Sequence, residues 1–233
     1  TLKLSDRLLA IANLIDKNNT VADIGTDHGY IPVYLLNNSI IQYAIAADIN
    51  KGPLDNAKKE VRLNKLENKV DLRLGSGLTV LKEGEVDEAI IAGMGGVLIS
   101  EILEVSKKVA KSFKKIILQP MQASDELRKY LYENRYEIID EILVKEDFRV
   151  YEIIVIKYTG KIEELEDEIF YEVGKKLIDK KDPLVFEFID KKIKSYENVL
   201  IKLDDKTGEA IENRKNQCLS KIHKLKEVKN IVS

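Results

Sequence analysis

Two histidines and one cysteine in 233 residues close off several kinds of protein at once. Cys218 has no internal partner for a disulfide, and with so few histidines the chain cannot supply the ligand set of a structural zinc site. Long apolar runs are missing as well. Nothing approaches the ~18–20 residues of a membrane span, and the opening TLKLSDRLLAIANLI carries no signal-peptide cleavage pattern. The expectation is a cytoplasmic protein with no membrane anchor and no metal. Charge of one sign is lacking too. Lys+Arg at 38 against Asp+Glu at 40 leaves a formal charge of −2, which excludes a wholly basic nucleic-acid coat while leaving room for a local basic face. What the chain does have is 44% hydrophobic and 33% charged residues, enough for one full domain with a smaller one attached.

Ser5 can cap an opening helix whose apolar residues Leu8, Leu9, Ala12 and Ile15 recur at helical spacing before Asn18-Asn19 breaks it. From Thr20 to about Lys157, short β-rich runs alternate with amphipathic stretches, as in VADIG, YIPVYLLNN, AIAADI and PLDNAKKEVRLNKL. Further strands are expected at 70–75, 88–93, 114–119, 136–146 and 149–158. The last two are joined only around Asp147-Phe148, too short for a parallel crossover, so they pair antiparallel. The fold expected is α/β: a Rossmann-like, seven-stranded, mostly parallel sheet ending in a hairpin, over residues 1–159. Beyond it, over 160–233, charges interleave with helical apolar registers. Ile162, Leu165, Ile169, Val173 and Leu177 form one stripe; Asp182-Pro183 opens a second helix with Phe186, Ile189, Ile193, Tyr196, Leu200 and Leu203; Ile211, Cys218, Ile222, Leu225 and Val232 form a third. This reads as an antiparallel, coiled-coil-like helical domain with Cys218 as a small core residue in the seam.

The chemistry concentrates in Asp23-Ile24-Gly25-Thr26-Asp27-His28-Gly29-Tyr30 and in Asp48-Ile49 at the end of the next strand. Gly25 and Gly29 let a turn approach a ligand closely, and an acid 23 residues after Gly25 can accept both hydrogen bonds of a ribose diol. A nucleoside cofactor is implied. A dinucleotide site wants a third glycine to seat a pyrophosphate, whereas this turn places Asp27 in the loop. A carboxylate there repels phosphate and suits a cation, such as the sulfonium and amino group of S-adenosylmethionine. Gly75-Ser76-Gly77 follows the third strand, where adenine would sit, Gly93-Met94-Gly95-Gly96 brings bare backbone to the fourth strand end, and Gln119-Pro120 places an amide and a rigid turn beside it.

Together DIGTDHGYIP, IAGMGG, LQP and VYE resemble the TrmK family, the bacterial tRNA (adenine(22)-N1)-methyltransferases. The resemblance covers roughly Leu4 to Lys157, with the helical tail similar in pattern more than in sequence. It implies S-adenosylmethionine as donor, N1 of an adenine in the tRNA D arm as acceptor, and family motif positions at Asp23, Gly25, Asp27, His28, Gly29, Tyr30, Pro32, Gly93, Met94, Gly95, Gly96, Gln119 and Pro120. Two positions depart from the family pattern: Ser76 stands where an acid or Asn is expected, and Met121 where Asn is expected.

The cofactor set is therefore Asp23, Gly25, Thr26, Asp27, His28, Gly29, Asp48, Ile49, Gly75, Ser76, Gly77, Gly93, Met94 and Gly95. Asp27 is also the catalytic candidate, with three readings open: an Asx-turn residue, a cofactor contact, or an acceptor for the adenine amine. Tyr30 either presents its ring to a base or packs at a helix start, and His28 polarises a neighbour, stacks on a base or only bonds backbone. Gln119 and Pro120 join Tyr30 as substrate contacts. Arg7 is a candidate phosphate contact, as are Lys221 and Lys224, because residues 206–233 hold seven basic side chains against three acidic ones. The partner expected is tRNA, bound by a monomer. Methylation of another RNA or a protein, an RNA-binding module without catalysis, and a nicotinamide oxidoreductase are the alternatives.

Overall fold

The computed structural model describes residues 2–232, and the chain divides into two compact units at Glu164 and Leu165. In the first, helix α1 (Asp6–Ala12) precedes a run of alternating elements: β1 (Val21–Ile24), α2 (Tyr30–Asn37), β2 (Ala44–Asp48), α3 (Lys51–Leu63), β3 (Val70–Leu74), β4 (Glu88–Met94), α4 (Gly96–Val105), α5 (Lys107–Ser112), β5 (Lys115–Pro120) and α6 (Ser124–Glu133). It closes with β6 (Tyr136–Glu146) and β7 (Arg149–Tyr158). The sheet order is β3-β2-β1-β4-β5-β7-β6, with β1 to β5 parallel and β7 antiparallel to both β5 and β6. The seven strands expected from the sequence are all present. Every residue of β1 and β2 is buried, as continuous apolar runs in the middle of a sheet covered on both faces should be. Helix α1 is shorter than its apolar stripe: Ser5 caps it, with its oxygen accepting from Leu8 N, but it ends at Ala12 and Ile15 is buried beyond it.

A buried ion cluster fixes α6 on the closing hairpin. Arg128 is fully buried and donates to Glu141 Oε1 and Glu152 Oε1, each at 2.7 Å, while Ser124 Oγ donates to Glu152 Oε2 at 2.6 Å. Truncating one member of such a cluster leaves an uncompensated buried charge, so the group holds register where apolar packing alone would permit sliding. The loop between β5 and α6 is thereby held in place.

The second unit holds α7 (Ile169–Val173), α8 (Lys175–Asp179), α9 (Val185–Leu203) and α10 (Glu209–Val232). Pairs Asp190 with Lys229 and Tyr196 with Lys221 run α9 and α10 antiparallel. Cys218, on α10, is buried. Three expectations need correction. The stripe from Ile162 to Leu177 is not one helix: Ile162 is exposed outside any helix, and Gly174, at φ +87°, separates α7 from α8. Asp182 opens a turn rather than the helix itself, its Oδ1 accepting from Leu184 N at 2.9 Å, so α9 begins at Val185. The buried stripe of α9 then starts with Val185 and Phe188, while Phe186 is 44% exposed under the ammonium of Lys229.

Candidate active site

The end of β1 lies between β2 and β4, with Ile24 opposite Ala47 on one side and Ile91 on the other, and β4 runs on to Met94. This is where strand order reverses, and open α/β sheets bind ligands beyond the carboxyl ends at such a point. Past Ile24 the chain turns at once, with Gly25 N and Thr26 N both donating to Ala47 O at 2.8 and 3.0 Å. Gly25 adopts φ +73°, a left-handed backbone that favours glycine, and the mobile end of the Met94 side chain packs against it. Asp27 is also left-handed, at φ +52°, and its N–H donates to Asp48 Oδ2 at 3.4 Å. The other oxygen of Asp48 accepts from Asn50 N at 2.9 Å.

The turn opens onto a cleft of about 350 Å³, within the ~300–1,000 Å³ of small-molecule sites. Asp23, Gly25, Thr26 and Asp27 supply the lining from the first turn, His28, Tyr30 and Ile31 from the start of α2, Arg7 and Leu8 from α1, and Ala92, Gly93 and Met121 from the ends of β4 and β5. Asp23 is buried, and its Oδ2 accepts from Thr26 Oγ1 at 2.6 Å. Burial pushes its carboxyl up to about 6 against the opposing effect of the Thr26 bond, with the nearby charge of Asp48 adding to the rise. Asp27, by contrast, has a side chain 64% exposed, with its Oδ2 3.5 Å from His28 Nε2. The His28 ring stacks on that of Tyr30, centroids 4.9 Å apart and planes 10° from parallel, which makes a flat aromatic surface at the cleft.

The cleft thus gathers Arg7, Asp23, Gly25, Thr26, Asp27, His28, Tyr30 and Gly93. Gly29 sits beside it as the residue before α2. Asp48, Ile49, Gly75, Ser76 and Gly77 lie at the same sheet edge beyond β2 and β3, where Gly75 N donates to Asp48 O at 2.9 Å and Ser76 and Ile49 are exposed. Met94 and Gly95 follow Gly93 at the end of β4.

Two groups of expected substrate residues are placed otherwise. Gln119 and Pro120 are buried behind the cleft. Gln119 Oε1 accepts from Arg7 Nη1 at 2.7 Å and from Gly93 N at 3.2 Å, while its Nε2 donates to Pro120 O at 2.9 Å and to the Met121 sulfur at 3.5 Å. All four hydrogen-bonding positions of the amide are taken, so Gln119 supports the cleft and cannot bond a substrate directly. Lys221 and Lys224 are both paired with carboxylates of the helical unit. Lys221 pairs with buried Glu172 and with Tyr196 Oη, and Lys224 donates to Asp167 at 2.8 and 3.0 Å. For Lys221 the cause is Glu172: a buried carboxylate needs cations, and Lys221 and Lys192 supply them, whereas the pair of Lys224 with Asp167 lies at the surface. The sequence reasoning also missed the cleft's apolar residues Leu8, Ile31 and Ala92, and Tyr151, whose ring lies 5.4 Å from the Arg7 guanidinium carbon. Only the VYE match touched Tyr151, and nothing local links it to Arg7.

Among the described residues no helix is long and apolar enough to cross a membrane, and no cluster of His, Cys, Asp and Glu is arranged to hold a metal. A doubly wound sheet of this order, with carboxylates at its switch point in place of a phosphate-seating glycine turn, defines a Rossmann-like methyltransferase. The profile of the methyltransferase-domain family matches residues 4–154. The tRNA (adenine(22)-N(1))-methyltransferase of Bacillus subtilis (strain 168) is 43% identical over 154 residues, 66% of this chain and 65% of that relative, just under two thirds of its length. Over whole chains, the crystal structure of the B. subtilis m1A22 tRNA methyltransferase TrmK superposes with a TM-score of 0.88 at 33% identity, covering 98% of this chain and 99% of the other. A Streptococcus pneumoniae protein described as a putative tRNA (m1A22) methyltransferase, in complex with S-adenosyl-L-methionine, gives 0.86 at 29% identity, covering 97% and 99%. The chain belongs to the TrmK family of tRNA methyltransferases.

Proposed function

We infer that this chain transfers a methyl group from S-adenosylmethionine to N1 of adenine 22 in tRNA. The observation that carries this reading is the switch-point cleft, where two carboxylates of the first turn and a stacked aromatic pair share one cavity with a guanidinium. The residues fit the donor: the tight turn at Gly25 lines the cleft, Asp48 stands at the end of β2 for a ribose diol, and Asp23 and Asp27 suit a cationic sulfonium and ammonium. Bound there, S-adenosylmethionine supplies a methyl group already activated on positively charged sulfur. The chain contributes position and charge. Adenine N1 has its own lone pair, so alignment does most of the work. Methylation leaves the base cationic, and the accessible carboxylate of Asp27, with His28 beside it, offsets that charge and can take a proton from the exocyclic amine.

The N1 edge of a folded tRNA is exposed only when the base leaves its stack, at a cost of a few kcal/mol. The His28–Tyr30 pair offers a flipped purine a replacement stacking surface. Compensating contacts come from tRNA phosphates. On α10 the exposed Lys226 and Arg214 are suited to that role, in place of Lys221, which the buried Glu172 holds. A tRNA substrate sets the work in the cytoplasm, with the protein acting as a monomer. Calorimetric titration tests the cofactor: S-adenosylmethionine should bind with one site per chain and NAD should not. The reverse preference would support the oxidoreductase reading instead.

A further inference from the structure

Gln119 spends its whole hydrogen-bonding capacity on the protein, and one of its partners is the guanidinium of the cleft. Arg7 is fixed from three directions. Its Nη1 donates to Gln119 Oε1 at 2.7 Å, its guanidinium carbon lies 5.4 Å from the Tyr151 ring centre, and its main-chain N–H donates to Glu146 Oε1 at 2.6 Å. These anchors come from the end of β5, where Met121 also joins the lining, and from the β6–β7 hairpin. A guanidinium has five N–H donors, and the bond to Gln119 leaves the others for a ligand.

On the reading above, we propose that Arg7, oriented by Gln119, binds the phosphate of the flipped target nucleotide. The charge of the reaction decides between phosphate and base. The methylated base becomes a cation, which a guanidinium beside it would oppose, and the carboxylates of Asp23 and Asp27 already line the cleft for that charge. An anion is the complementary ligand for Arg7, and planar guanidinium matches phosphate oxygens in a fork. Gln119 is then a positioning residue. It acts through Arg7, and through the same oxygen it holds the Gly93 N–H at the bulge where β4 leaves its register with β5. One amide thereby ties the nucleotide-holding cation to the backbone turn proposed to meet the cofactor.

The test is a double-mutant cycle on the full chain, using Arg7→Ala, Gln119→Met and the double variant, with unmodified tRNA at saturating S-adenosylmethionine and a series of salt concentrations. Each single variant should raise the tRNA KM roughly 10-fold or more, and the double variant little beyond Arg7→Ala, because Gln119 acts through Arg7. The slope of log KM against log salt should become shallower by about 0.7–0.9, one phosphate, in all three. The affinity of Arg7→Ala for S-adenosylmethionine should match wild type by calorimetry. A purely structural role for Gln119 would lower stability and kcat without moving the salt slope. Should Gln119→Met fail to fold, Gln119→Asn keeps the amide, shortens its reach and takes its place. Unchanged salt slopes or additive KM effects, with wild type active, overturn the proposal alone. No methyl transfer by wild type overturns the functional reading, and the proposal with it.

Discussion

Replacing Asp23 with Asn should make the cofactor-free protein more stable at pH 8 while weakening its hold on S-adenosylmethionine. Burial lifts the Asp23 carboxyl from 3.8 to about 6, a shift of about two units, which at about 1.4 kcal/mol per unit is ~3 kcal/mol. The sign follows from linkage. A carboxyl whose folded value is raised stabilises the fold in its neutral form, fully below pH 3.8, and that contribution is lost as pH rises through about 6. Above pH 6 the wild-type protein therefore carries a buried charge that Asn does not. Asn also keeps an oxygen for the Thr26 hydroxyl, whose bond to Asp23 is 2.6 Å. Its new N–H groups need partners, which reduces the expected gain to ~1–3 kcal/mol at pH 8. Urea denaturation followed by circular dichroism at pH 8 and pH 4.5 is the assay, with the gain shrinking at the lower pH. Calorimetry on the same protein should show weaker cofactor binding. A gain equal at both pH values, or a loss at pH 8, would refute the claim that the charge of Asp23 strains the cofactor-free fold.

Asp48→Ala should weaken S-adenosylmethionine binding by ~1.5–3 kcal/mol, since charge-assisted bonds to a ribose are lost, and unchanged affinity by calorimetry would remove Asp48 from the site. Asp27→Asn keeps shape and removes charge, so turnover at saturating cofactor should fall ~10²-fold or more with tRNA affinity little altered; near-wild-type turnover would leave catalysis to alignment alone. In the helical unit, Lys192, Lys221 and the Tyr196 hydroxyl hold the carboxyl of Glu172 below its ordinary value even though burial pushes it up. That contribution is present above the unfolded value of 4.5 and is lost as pH falls through the lower folded one. Glu172→Gln should destabilise the helices by ~1–3 kcal/mol at pH 7 and by less in acid, read by circular dichroism, and a pH-independent effect would show that the ion pairs do not carry it.

The sheet was legible because each strand is a short apolar run with turn residues at both ends, and because Asp147-Phe148 leaves no room for a crossover between β6 and β7. The first turn of the site was legible for a similar reason: Asp23 to Tyr30 is contiguous, and its glycine spacing has a direct geometric meaning. What escaped sequence reasoning depends on distant partners. Arg7 reads as a surface phosphate contact until Gln119, 112 residues away, and Tyr151 draw it into the cleft. Lys221 reads as part of a free basic face until Glu172, 49 residues earlier, claims it. The broken stripe at Gly174 escaped because helical spacing registers apolar faces and says nothing of a backbone turning to φ +87° between them. Gln119 was found by its motif and misassigned in role, since its burial decides whether it meets substrate or supports what does.

Methyl transfer to N1 of adenine 22 is read out by incubating the protein with radiolabelled S-adenosylmethionine and unmodified tRNA, then digesting the RNA and identifying the labelled nucleoside and its position. One methyl group per tRNA is expected, recovered as 1-methyladenosine at position 22. Label on N6, at another position, or absent from the RNA altogether would contradict it.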